Sequence, residues 1–172
     1  SRSAGRNFST PRNIMLIKTF GAAVYGIDAI TITVEVNVGQ GINFFLVGLP
    51  DNAVKESHKR IVAALNNNGF RNPGKEVVVN MAPADVRKEG SAYDLTIAIG
   101  ILAASGQISA ERVSRYVIMG ELSLDGSIQP VRGALPIAIQ AAKEKFDGII
   151  LPRQNAPEAS VVEGLAVLGA EN

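Results

Sequence analysis

The sequence predicts an α/β (α+β) fold, a mixed β-sheet packed with helices, from three observations. β-Branched stretches with strand periodicity, such as "ITITVEV" at 30–36, are interleaved with longer apolar stretches at helical spacing. Some consecutive strands are joined by turns too short for anything but an antiparallel pair, whereas others are separated by a helix. The composition supplies an aliphatic interior, with 47% hydrophobic residues, only 5% aromatic ones and 17 Gly among 172 residues. That length suffices to bury roughly two-thirds of the unfolded surface in a single domain, expected over 15–172.

"LIKTFGAAVYG" (16–26) and "IDAITITVEVNVG" (27–39) predict two paired strands, and "NFFLVGL" (43–49) a third, ended by Pro50. A helix is expected over 52–68, with Asp51 as its cap and Val54, His58, Ile61, Val62 and Leu65 as the stripe facing the sheet. Gly69 after "NNN" is its left-handed stop. "EVVVNMA" (76–82) reads as a strand in the sheet interior, and "LTIAIGILAAS" (95–105), apolar nearly all round, as a central buried helix closed by Gly106. "YVIMGELSL" and "SIQPV" flank Asp125-Gly126, the strongest short hairpin signal in the chain. A helix over 134–146, with Pro136 tolerated in its first turn, leads to the strands "GIILP" and "LAVLG".

A formal net charge of +1 gives no overall field toward nucleic acid or an anionic membrane, so binding of either kind needs a local patch. With no Cys and one His, disulfides, thiolate catalysis and cysteine metal sites are excluded. No apolar run approaches the ~20 residues of a membrane span, and the chain is expected to be cytoplasmic. Residues 1–14, polar and Arg-rich, read as a disordered arm or an expression-tag remnant.

No G-x-x-x-x-G-K-[ST] loop and no G-x-G-x-x-G after a strand occurs, so no nucleotide-phosphate cradle is encoded. "GLPDN" places exposed amides at a helix start, where an anion could sit, although most such turns simply begin a helix. "RKEGSAYDLTIAIG" (87–100) raises the question of whether Ser91 is a nucleophile or a helix cap. Ser91 and Asp94 have capping-box spacing. A nucleophile needs a base, and His58, the single imidazole, lies on an apolar stripe; Lys88 is the remaining candidate base. The candidate nucleic-acid contacts are two cationic groups: Lys55, Lys59 and Arg60 on the first helix, where Glu56 can pair with Arg60, and Arg87 with Lys88 ahead of the buried helix.

Three segments carry a resemblance: "FFLVGLPDNAVKESHKRIVAAL", "VNMAPADVRKEGSAYDLTIAIGILAASG" and "MGELSLDGSIQPVRGALPIAIQAAKE". From about Met15 to the end, the chain closely resembles the N-terminal domain of the ComM/YifB group of magnesium-chelatase-like AAA+ ATPases. The resemblance implies a two-layer sandwich like that of the Lon protease domain and ribosomal protein domains. Lon enzymes use a serine in Lys-Asp-Gly-Pro-Ser-Ala-Gly and a lysine in Gly-Gly-Leu-Lys. Laid on those segments, this chain has Ala92 at the serine position and Leu135 at the lysine position, so the resemblance implies a pseudo-protease with no catalytic residues and Ser91 as a cap.

It further implies a fragment whose ATP, Mg²⁺ and hexamer belong to an absent ATPase domain. The implied work is DNA processing, branch migration in natural transformation, with the domain aiding ring assembly and contacting DNA. A Lon-type serine-lysine peptidase using Ser91 is the alternative, and a nucleotide- or metabolite-binding module, by fold analogy with metabolite kinases, a third reading.

Overall fold

The computed structural model describes residues 15–70, 76–162 and 164–170; the segment 1–14 lies outside them. Strands β1 (Met15–Tyr25) and β2 (Asp28–Gly39) form a long hairpin, with Thr19 opposite Val34 and Gly26 at φ 60 in the turn. β3 (Phe44–Val47) leads into helix α1 (Asp51–Asn67), and β4 (Glu76–Ala82) returns between β3 and β2. Helices α2 (Asp94–Ala104) and α3 (Ala110–Val113) precede β5 (Tyr116–Ile118). A two-stranded hairpin of β6 (Glu121–Leu122) and β7 (Ile128–Gln129) precedes α4 (Ala134–Lys143). β8 (Gly148–Pro152), α5 (Ala156–Ala159) and β9 (Ala166–Ala170) complete the described chain.

The main sheet is mixed, in the order β3-β4-β2-β1-β5-β8-β9. β2 runs antiparallel to both of its neighbours, β1 and β4, and the other neighbouring strands pair in parallel. Directly opposed residues share a face, so Ile17, Thr19, Ile32, Val34 and Val36 form one apolar surface, and α2 packs on it. Close approach depends on Gly100: a Cβ there would lie 2.6 Å from Val36 Cγ2. The Thr19 hydroxyl also donates to Thr96 O at 3.1 Å.

On the opposite face Phe20 meets Phe146 edge to face at 5.2 Å, and the Thr31 hydroxyl donates to Glu144, which brings α4 over that side. Held between the sheet on one side and α1, α3 and β6 on the other, α2 is buried around nearly its whole circumference, as its sequence predicts, and Gly106 closes it at φ 78. Among the described residues no helix is long and apolar enough to cross a membrane.

Several local expectations are corrected. Asp51 does not cap α1: Pro50 holds the N-cap position with no side-chain bond, and Asp51 is the first helical residue, its charge near the positive end of the dipole. The buried stripe of α1 is Ser57, Ile61, Ala64 and Leu65, leaving Val54, His58 and Val62 half-buried. The rotation follows from Ser57, whose hydroxyl finds an internal acceptor and can enter the core.

"EVVVNMA" lies inside the sheet but is buried on one face only, through Val77, Val79 and Met81. The second hairpin is confined to residues 121–129, because its leading segment joins the main sheet as β5. α4 stops at Lys143, two residues before Lys145 turns left-handed at φ 62 and the Phe146 amide bonds Ala141 O, a Schellman-type end without glycine.

Candidate functional site

Asp94, the first residue of α2, has no exposed surface and four hydrogen bonds. Ser57 donates to Oδ1 at 2.7 Å, and Arg60 donates from Nε to Oδ2 at 2.5 Å and from Nη2 to Oδ1 at 3.1 Å. The Leu122 amide donates to Oδ2 at 3.2 Å, so one carboxylate joins α1, α2 and β6. Burial pushes this carboxyl upward against the pull of Arg60, Ser57 and the Leu122 amide, while the contact raises Arg60 above the ordinary guanidinium value. Arg60 is thus a structural partner of Asp94, and its expected pairing with Glu56 is replaced.

Ser91 lies in a single 3₁₀ turn, Gly90–Tyr93. Neither that turn nor α2 has a side-chain cap bond, so the capping box expected of Ser91 and Asp94 does not form. The Leu95 amide is satisfied instead by Gly120 O at 3.0 Å, and the aspartate that would have completed the box is turned inward. Lys88, just upstream, is buried: its ammonium donates to Val86 O at 2.9 Å and Gly48 O at 3.4 Å, tying the 84–90 loop to the turn before α1. Burial holds its pKa below the usual lysine value, with Asp85 opposing. Arg87 is exposed, and its carbonyl accepts from the Tyr25 hydroxyl at 3.0 Å.

A cleft of about 230 Å³ opens beside this turn, lined among others by Ala23, Arg87, Glu89, Ala92, Tyr93 and Arg132. Ala92, at the position that the Lon resemblance assigns to the nucleophile, forms part of its wall with a methyl group. Leu135, at the position assigned to the lysine, is the second residue of α4; its amide donates to Glu158 Oε1 at 3.3 Å. The Tyr93 hydroxyl donates to Ala22 O at 2.9 Å, and its burial raises its pKa well above the tyrosine norm.

Lys55 and Lys59 are exposed on α1, whose first turn touches the 87–90 loop where Gly90 meets Ala53. Of the five cationic residues singled out from sequence, Lys55, Lys59 and Arg87 are exposed and have no ion pair among the described residues, while Arg60 and Lys88 use their donors internally. His58 stacks on Phe44 with centroids 4.2 Å apart and planes 8° apart, and burial lowers its pKa. It is packed, as its place on the helix suggests.

Two residues escaped the sequence reading. Local spacing marks Asp94 as a capping partner of Ser91 or an acidic neighbour of Arg87 and Lys88, and reports nothing of the distant Ser57 and Arg60. Arg132 stands alone in the sequence; its one local signal is the following Gly133, which at φ 81 holds the N-cap position of α4.

Residues 34–155 match the family model described as subunit ChlI of Mg-chelatase. The competence protein ComM of Haemophilus influenzae is 44% identical over 144 residues, 83% of this chain and 28% of that protein. The Escherichia coli protein YifB is 40% identical over 151 residues, 87% of this chain and 30% of YifB. A Mycobacterium tuberculosis protein is 38% identical over 153 residues, 88% of this chain and 30% of its own length. The chain thus spans under a third of each of these curated relatives.

Proposed function

Because the chain belongs to the family of subunit ChlI of Mg-chelatase, we propose that it is the non-catalytic accessory domain of a longer magnesium-chelatase-like AAA+ ATPase. In this reading it is an N-terminal, Lon-like, cytoplasmic domain that helps assemble a hexameric ring and touches DNA. The observation that carries the non-catalytic part is that Ala92, on the cleft wall, and Leu135, the second residue of α4, bring neither a hydroxyl nor an amine to the two positions that the Lon resemblance assigns to the dyad. The name of the Haemophilus influenzae relative as a competence protein favours a part in competence, and the resemblance implies that this part is DNA processing, branch migration in natural transformation. ATP and Mg²⁺ belong to the ATPase part, since this chain carries no phosphate loop of the G-x-x-x-x-G-K-[ST] type for them.

Fluorescence anisotropy with labelled single-stranded and forked DNA across a salt series tests the DNA contact. Affinity is expected to fall log-linearly with salt, and an absence of binding at low salt would confine the domain to ring assembly. The peptidase alternative is tested with a serine-directed phosphonate, for which no labelling is expected. Covalent labelling that disappears in Ser91→Ala would restore it.

A further inference from the structure

We propose that the cleft beside Ala92 is a phosphate-binding subsite, in which Arg87 and Arg132, from two separate loops, grip one phosphate group. The inference deepens the DNA-contact reading and rests on it for one of two sources of the phosphate, a nucleic-acid strand; the other is a free mononucleotide.

Both arginines line the same cleft. Among the described residues neither guanidinium has an ion pair or a hydrogen bond, whereas Arg60 is held by Asp94 and Arg115 reaches Glu111 and Asp147. Glu89 is the one carboxylate lining the cleft, so two arginines less one glutamate leave a formal charge of +1 facing the space. Guanidinium forks match the oxygens of a phosphate and hold it by paired, charge-assisted bonds.

The backbones that carry them are fixed in advance. Arg87 O accepts from Tyr25, and Val131, next to Arg132, is clamped by the buried Asn155 amide, which accepts from Val131 N and donates to Val131 O, both at 2.8 Å. Gly133, on the other side of Arg132, is wedged against Val24, where an added Cβ would lie 2.8 Å from a methyl group. A ligand therefore meets loops that are already ordered, which lowers the entropic penalty of binding.

Ala22, Ala23, Val24, Ala92 and Met119 line the rest of the cleft without a side-chain donor, and the Tyr93 hydroxyl is already engaged, so the cationic forks are the donors left facing the cleft from its side chains. At about 230 Å³ the space is below the ~300–1,000 Å³ of pockets for drug-sized ligands; it suits a phosphate with part of its sugar.

The test uses the 172-residue chain with two probes: a fluorescent oligothymidylate read by anisotropy, and thymidine monophosphate read by calorimetry. Arg87→Ala and Arg132→Ala are each expected to weaken binding about tenfold. Each should also reduce the log-log salt slope for the oligonucleotide by ~0.7. Arg132→Gln, which removes the charge and the guanidinium fork but keeps a polar side chain, should behave like Arg132→Ala, with thermal unfolding confirming that both variants are folded. Arg112→Ala, on α3 and outside the cleft, should leave affinity unchanged.

Loss with both probes, or with the oligonucleotide alone, supports the subsite and says whether a free nucleotide also enters. Loss with the mononucleotide alone keeps the subsite and removes a nucleic-acid strand as the source of its phosphate. An Arg132 variant that binds both probes as tightly as the parent, or an equal loss in Arg112→Ala, overturns the subsite while the DNA contact survives. Binding of neither probe overturns both.

Discussion

Removing a buried carboxylate leaves its donors without partners, and at Asp94 those donors come from two elements, α1 and β6. Breaking a buried ion pair is destabilising by ~3–5 kcal/mol, and since the Arg60 side chain keeps 20% of its surface in water, Asp94→Ala should fall near the lower end. Urea unfolding measures it; a loss below ~1 kcal/mol would mean that water replaces the network. His58 gives a pH signature. Its folded pKa lies below the ordinary imidazole value, so as pH falls through about 6.5 the unfolded chain takes up the proton first and stability drops. Stability is therefore full above that value and lost below it. It is the single His in the chain, so His58→Phe should flatten the melting temperature between mildly acidic and neutral pH. An unchanged slope would assign the dependence to carboxylates.

At the scale of elements, α2 on the central hairpin is the contact that places the cleft. Gly100→Ala improves intrinsic helix propensity by up to ~1 kcal/mol. The added methyl would lie 2.6 Å from Val36 Cγ2, and overpacking of that kind is destabilising by ~1–3 kcal/mol. A net loss of stability is expected in denaturant titration, and a gain would mean that the sheet yields.

Elements declared by periodicity or turn chemistry were legible beforehand. The β1–β2 hairpin, the apolar helix and the Asp125-Gly126 turn, where Ser127 N and Oγ both donate to Asp125, are of this kind. What local patterns do not encode is which polar group meets which across the fold. Ser91 and Asp94 have cap spacing, yet the tertiary pull of Arg60 and Ser57 takes the carboxylate away. The same limit applied to the site: a charge count marks Arg87 and Lys88 alike, and only the fold buries the lysine and sets Arg132 in the same cleft as the arginine.

For the whole molecule, the strand order separates early from late partners. β1 meets β2 across a two-residue turn, but its other edge waits for β5, after α1, β4 and α2 have passed. β8 and then β9 add outward from there, each in parallel with the strand before it. Long-range parallel pairing is slow compared with a local hairpin, so the sheet has a direction of growth. On a ribosome, β3-β4-β2-β1 has its partners as soon as it is made, while the half carrying β8 and β9 is the last to close. Native-state hydrogen exchange should preserve that history as a gradient, with amides of β1 and β2 the slowest to exchange and those of β9, paired on one side only, the fastest. Uniform protection across the sheet would make it a single cooperative unit, one that opens everywhere or nowhere.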